Sequence, residues 1–372
     1  MLTSDDSRAP TLADRLRERI KGAGPMTFHD WMQAALYDER DGYYCRPGKI
    51  RQGRGGDYRT APETSPVFAT AFAQYFTKLY FDLGAPQHWT IVEVGAGRGD
   101  FALGVLTSLQ ANFPDVLAAT KYVVDELSAD AREQANAKLS QFKDRIEFRS
   151  LSEITEPFGW AIVFSNELLD ALPVHRVIRR DGKLQELRVS VNGSGEFVWL
   201  ESDLELRVAE YCQRIQLQLS EGQIHEVNLE AEDFVARASR LIERGFLVTV
   251  DYGAERDDLL RDPNRFSGTL RSFRRHQISQ DILSQPGEQD LTTTVDWKLV
   301  REAGARNALQ ILRFERLDQF LLSEDALETI TSAGNRMTDQ IELFNFNAAA
   351  REMIMPDGLA AHFQVLVQRK EP

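Results

Sequence analysis

Thr90-Ile91-Val92-Glu93-Val94-Gly95-Ala96-Gly97-Arg98-Gly99-Asp100-Phe101 is the stretch that decides the fold. A short β-branched run ends at three glycines, and a helical pattern from about Asp100 to Gln110 takes over. Strand, tight turn and helix form the opening unit of an open α/β sheet, where ligands sit at the carboxyl ends of strands. The alternation continues on the C-terminal side. Tyr122-Val123-Val124 reads as a second strand, followed by a helix from about Ala129 to Phe142. Ile146-Glu147-Phe148 and Trp160–Phe164 follow as strands, then a helix from about Ala231 to Arg244 and a strand at Leu247–Val250. The pattern predicts a doubly wound, mostly parallel α/β sheet of Rossmann-like type with helices on both faces. Phe363–Gln368 is expected to return to it as the last strand.

Residues 1–85 read as a helical cap with a glycine-rich loop. Leu12, Leu16 and Ile20 recur at helical spacing, Thr27 can cap a second helix, and a third runs from Pro66 to about Leu83. Residues 86–372 form the sheet domain with two insertions. Residues 174–228 carry hairpin-like runs and one helix; residues 253–330 look loop-rich and polar, then helical.

The chain has 372 residues, enough for two domains or one with large insertions. Its net charge of −13 disfavours phosphate backbones and anionic lipid as partners. Two cysteines far apart, Cys45 and Cys212, and six scattered histidines support neither a disulfide scaffold nor a metal site. No apolar run reaches the roughly 18 residues of a membrane helix, and the acidic N-terminus lacks the features of a signal or transit peptide. The expectation is a cytoplasmic chain with no membrane or nucleic-acid partner.

The glycine turn separates two cofactor classes. A dinucleotide fingerprint needs glycine at the sixth place, which is Asp100 here, and a carboxylate at a helix N-terminus repels a pyrophosphate. S-adenosylmethionine carries no phosphate but a sulfonium, an ammonium and a carboxylate. Glu93 can face the ammonium, and backbone N–H groups after Gly97 can face the carboxylate. An acidic residue at the end of the next strand is needed for the ribose. Asp125 and Glu126 end that run, and Glu126 is chosen, 126 − 99 = 27 residues beyond Gly99. The cofactor set expected is Glu93, Gly95, Ala96, Gly97, Gly99, Glu126, Leu127, Ser150 and Leu151. Asp57 and Thr60, in the earlier glycine loop, join it as a lid.

The fourth strand leads into Asn166-Glu167-Leu168-Leu169-Asp170-Ala171-Leu172-Pro173. Methyl transfer needs its nucleophile held in line and its proton removed or neutralised. Asn166, Glu167 and Asp170 offer an amide and two carboxylates for that work, and carboxylates grip a guanidinium through paired hydrogen bonds. These three are the candidate catalytic residues. Arg271, Arg274, Arg275 and His276 form a basic cluster suited either to an acidic acceptor or to solvent.

At this point the sequence resembles the MidA-like methyltransferases. The resemblance rests on Gly42-Tyr43-Tyr44, Gly56–Glu63, the glycine turn, Asn166–Val174 and Val250-Asp251-Tyr252-Gly253. Gly268-Thr269-Leu270-Arg271, His276, Pro286–Thr292 and Val295-Asp296 continue it, so it spans most of the chain. It implies a class I methyltransferase fold, S-adenosylmethionine as donor and, in the family's best-understood branch, arginine methylation of a protein partner. Three positions depart from the family pattern: Asp100-Phe101, Ala69-Thr70 and Trp297. Three functions stay open on sequence grounds: a methyltransferase acting on a protein side chain, with arginine favoured; one acting on a small molecule; and a non-catalytic assembly protein.

Overall fold

The computed structural model describes residues 9–48, 66–274, 277–279, 281–322, 331–332, 334–335, 338–355 and 357–371. The chain divides into two compact units, one built from Met1–Lys49, Leu172–Leu229 and Leu260–Thr293, the other from Ile50–Ala171, Glu230–Leu259 and Thr294–Pro372. The helix Pro66–Asp82, grouped with the N-terminal cap in the sequence reading, belongs to the second unit.

The second unit is built on a seven-stranded sheet. Numbered within it, its strands are β1 (Trp89–Val94), β2 (Thr120–Asp125), β3 (Ile146–Phe148) and β4 (Phe158–Asn166). They are followed by β5 (Ile242–Asp251), β6 (Leu309–Arg316) and β7 (Gln364–Lys370). The spatial order is β6-β7-β5-β4-β1-β2-β3, parallel except for β7, which runs antiparallel to both neighbours. The order reverses between β1 and β4, and that switch point is where an open sheet binds its ligand. Every residue of β1 is buried, as expected for a parallel strand covered on both faces.

Aromatic packing seats the helix after the glycine turn, Asp100–Asn112, on the sheet. Phe101 stacks on Phe164 of β4 with ring centroids 4.2 Å apart, and Phe72 meets Phe164 edge-on at 5.2 Å. Such pairs add about 0.5–1.5 kcal/mol beyond the area they bury. This accounts for Phe101 as a departure from the family pattern. The other departures have local reasons too. A Cβ on Gly104 would lie 2.5 Å from Ala69 Cβ, so these helices meet only where both residues are small. The Trp297 indole N–H donates to Gln364 Oε1 at 2.8 Å, so the larger ring keeps its polar edge paired.

Two expectations are corrected here. Residues 309–316, read as part of a loop-rich then helical insertion, are the edge strand β6. Only Leu309 in it is buried, Ile311 and Leu312 are half exposed, and a bulge falls between Ile311 and Arg313, so no periodicity announces it. The helix expected to reach Arg244 stops at Arg240. Ile242 and Arg244 instead pair with Phe158 and Trp160 of β4 and start β5.

The first unit holds the helices Leu12–Ala23 and Phe28–Tyr37 and an antiparallel sheet. Thr27 Oγ1 accepts from Asp30 N at 3.0 Å, the cap expected from sequence. The hairpin-like runs of 174–228 are the strands His175–Arg180, Lys183–Val191 and Phe197–Ser202, with Ile224–Val227 beside the first. Gly268-Thr269 lies against Glu226, which accepts from Thr269 N at 2.6 Å and from Arg176 Nε at 3.1 Å. No helix among the described residues is long and apolar enough to cross a membrane.

Candidate functional site

The carboxyl ends of β1, β2, β4 and β5 bring the predicted residues of the second unit together. The glycine turn after β1 holds three left-handed residues: Gly95, Gly97 and Gly99 have φ of 72°, 55° and 75°. A Cβ on Gly95 would also stand 3.1 Å from Leu168 Cδ1, so the turn and the loop after β4 are in direct contact. The Asp125 carbonyl accepts from Gly95 N at 2.8 Å and Ala96 N at 3.2 Å, which ties the turn to the end of β2. The Gly99 amide, one of those expected to face a ligand carboxylate, donates to Ala96 O at 3.0 Å.

Glu126 braces this corner. Its Oε2 accepts from Gly97 N at 2.8 Å and its Oε1 from Ser128 N at 2.7 Å. One carboxylate thus links the glycine turn to the helix Ala129–Lys138, which Ser128 caps. Burial raises the Glu126 pKa, against the pull of the two amides. Asp125 Oδ2 accepts from Leu151 N at 3.0 Å and brings Ser150-Leu151 to the same corner. Ser150 Oγ accepts from Ser152 N at 3.3 Å and Ser150 N donates to Glu153 Oε2 at 3.0 Å, closing a short helical turn. Leu127 is largely exposed.

Glu93 is buried beneath the turn and accepts from Tyr122 Oη at 2.6 Å. Burial lifts its carboxyl to about 8; the Tyr122 hydroxyl opposes the shift, and the Glu126 and Asp100 charges add to it. Asp100 pairs with Lys138 at 2.6 Å and lies in the first turn of its helix, where a negative charge is favourable.

The loop after β4 carries the candidate catalytic residues. Ser165 of β4 pairs in register with Val94 of β1, which places this loop beside the glycine turn. Asn166 Nδ2 donates to Glu167 Oε1 at 3.2 Å, while Asn166 Oδ1 is buried and accepts no hydrogen bond among the described residues. Glu167 has φ of 49°, an uncommon conformation for a side-chain-bearing residue, and its N–H donates to Val250 O at 3.0 Å. Asp170 is buried a turn later.

Sequence reasoning named no role for Asp251, the last residue of β5. It is fully buried, and its Oδ2 accepts from Leu169 N at 2.9 Å and Asp170 N at 3.4 Å. Burial and the Asp170 and Glu167 charges push its carboxyl well above the usual range. The available signal was positional: Asp251 ends a β-branched run, as Asp125 does.

Asp57 and Thr60 lie outside the described residues, as do Arg275 and His276 of the basic cluster. Arg271 pairs in register with Thr292 in the first unit, and Arg274 bonds to Gln285. Among the described residues no group of three His, Cys, Asp or Glu side chains is arranged to hold a metal ion.

The site fits a cationic ligand. Glu93, Asp125 and Glu126 have carboxyls raised by burial, and a cation nearby would lower the cost of their charge. Asn166 Oδ1 adds a buried acceptor awaiting a donor.

Comparison with known proteins agrees. A family model described as "Putative S-adenosyl-L-methionine-dependent methyltransferase" matches residues 71–315. The chain is 28% identical to the mitochondrial protein arginine methyltransferase NDUFAF7 homologue of Drosophila melanogaster, over 95% of this chain and 86% of that protein. It is 27% identical to mitochondrial NDUFAF7 of Danio rerio, over 80% of this chain and 73% of that one. Among solved structures, a Burkholderia thailandensis protein bound to S-adenosyl-homocysteine matches with a TM-score of 0.84 and 27% identity, covering 96% of this chain and 92% of that chain. The cytoplasmic expectation is corrected by these relatives, which are named as mitochondrial.

Proposed function

The chain belongs to this family of S-adenosyl-L-methionine-dependent methyltransferases, and from that premise we propose that it methylates an arginine side chain of a protein. When bound, S-adenosylmethionine supplies an electrophilic methyl group on a sulfonium. Glu126, with the Gly97 amide it holds, Glu93, Asp125 and the Ser150-Leu151 turn are the residues proposed to hold it.

The observation that carries the arginine reading is the composition of the loop after β4. The loop holds two carboxylates, Glu167, whose Oε1 accepts from Asn166 Nδ2, and the buried Asp170, together with Asn166 Oδ1, a buried acceptor that takes no hydrogen bond among the described residues. A guanidinium has five N–H donors and no acceptor, and the loop offers it acceptors. Paired carboxylates grip its fork through two parallel hydrogen bonds and keep its charge away from the reacting nitrogen. Asn166 Oδ1 takes a further N–H and fixes the guanidinium plane. Methylation leaves the nitrogen with one proton in excess, and Glu167 is the carboxylate proposed to accept it. The Drosophila and zebrafish relatives are named for this activity.

The test is a competition between side chains. The chain is given methyl-labelled S-adenosylmethionine with a pool of arginine-bearing peptides, or with the same pool in which every arginine is lysine. Label confined to the arginine pool supports the proposal. Equal labelling, or label only in small molecules of a lysate, rejects it.

A further inference from the structure

The loop that carries Glu167 and Asp170 is held from β5 at both ends. At its start, Glu167 N donates to Val250 O at 3.0 Å. At its end, Asp251 Oδ2 receives the Leu169 and Asp170 amides at 2.9 and 3.4 Å. The other oxygen, Oδ1, accepts from Tyr252 N at 2.9 Å, which fixes the carboxylate plane. Asp251 has no solvent exposure, and both its oxygens are engaged by backbone. It therefore serves no ligand directly. Holding a carboxyl here is costly, because two further acids lie close and burial already disfavours its charge. A neutral residue would fill the same space without that repulsion but could not accept three N–H groups.

We infer that Asp251 is the positioning residue of the acceptor site: it sets the backbone of residues 167–170 so that Glu167 and Asp170 face one cation. This rests on the arginine reading for the nature of the cation, but not for the positioning itself. Asp251 does not touch the acceptor. It acts through the amides of the residues that do.

Asp251→Val keeps the volume close and removes both carboxylate oxygens, so the Leu169, Asp170 and Tyr252 amides all lose this acceptor. A misplacement of about 1 Å in a reacting group costs on the order of 10²-fold in rate. The expected results are a kcat about 10²-fold lower for label transfer to the arginine peptide pool and a KM for S-adenosylmethionine within threefold of wild type. Calorimetric affinity for S-adenosyl-homocysteine should also stay within threefold, and hydrogen exchange at the Leu169 and Asp170 amides should be at least tenfold faster. A merely structural role would lower cofactor affinity and thermal stability together with kcat, and that result overturns the inference. So does unchanged exchange at Leu169. A measurement on the wild-type chain guards against a variant that fails to fold: the Leu169 amide, though in a loop, should exchange as slowly as the amides of β5. Rapid exchange there rejects the inference. If wild-type protein labels no arginine, the arginine reading falls, while the exchange and binding results still decide the positioning role.

Discussion

Replacing Glu126 by Gln perturbs the corner on which cofactor binding is argued to depend. In the wild-type chain each carboxylate oxygen accepts one backbone N–H, Gly97 at 2.8 Å and Ser128 at 2.7 Å. Gln retains one acceptor and turns an NH₂ toward the other amide. The same carboxylate is proposed to accept a ribose hydroxyl of the cofactor, and a hydrogen bond to a charged group contributes about 1.5–3 kcal/mol. At 1.4 kcal/mol per tenfold, losing one should weaken binding roughly 10- to 150-fold. The helix that follows keeps its own cap, because Ser128 Oγ still accepts from Ala131 N, so the chain should stay folded. Calorimetry with S-adenosyl-homocysteine measures the effect, and thermal unfolding checks the fold. An affinity within twofold of wild type in a folded variant would refute the reasoning: Glu126 would then be a brace with no ligand beyond it.

Three further predictions concern the same face. Gly97→Val forces a β-branched residue to a φ of 55°, so S-adenosyl-homocysteine affinity should fall at least tenfold in a folded chain; normal binding would remove the turn from the site. Glu167→Gln should lower turnover by about 10²–10⁴ while leaving cofactor affinity within a few-fold; an equal loss of both would make Glu167 a cofactor ligand and Asp170 the better catalytic candidate. Glu93 should couple binding to pH. Its carboxyl holds its proton up to about 8, and an adjacent ammonium favours the ionised form. Binding should therefore release protons below pH 8 and tighten as pH rises toward it. Calorimetry in buffers of different ionisation enthalpy reads this release, which should shrink in Glu93→Gln; an undiminished release would place the titrating group elsewhere.

The parts of the fold that could be read in sequence are those whose residues answer to local rules. β1, β2 and β4 carry buried apolar stretches (Ile91-Val92, Tyr122–Val124 and Ala161–Phe164) because both faces of a parallel strand are covered, and glycines mark the turn because only they adopt positive φ cheaply. Glu126 could be named as a candidate because an acid at the end of the second strand is the expected ribose partner, and the structure shows it beside the glycine turn. Its bond to the Gly97 amide could not be foreseen, since nothing in either segment's sequence sets their relative height. β6 was hidden for a different reason. An edge strand buries little, so Leu309–Arg316 carries polar and apolar residues without a clear period, and only its pairing with β7 makes it a strand. Asp251 lay in a quoted motif without a role because its partners, the Leu169 and Asp170 amides, come from a loop 81 or 82 residues away. Glu167's left-handed backbone is equally invisible in sequence, since the Val250 carbonyl that its N–H meets comes from a distant strand.

The central claim is transfer of a methyl group from S-adenosylmethionine to protein arginine, and amino-acid analysis after labelling tests it most directly. Purified chain is incubated with methyl-labelled S-adenosylmethionine and a cell lysate, the protein fraction is hydrolysed, and labelled amino acids are identified by mass spectrometry. The account predicts label in methylated arginine, reduced at least a hundredfold when Glu167→Gln replaces the wild-type chain. Label in any other amino acid, label only in the small-molecule fraction, or the same arginine labelling with Glu167→Gln would contradict it.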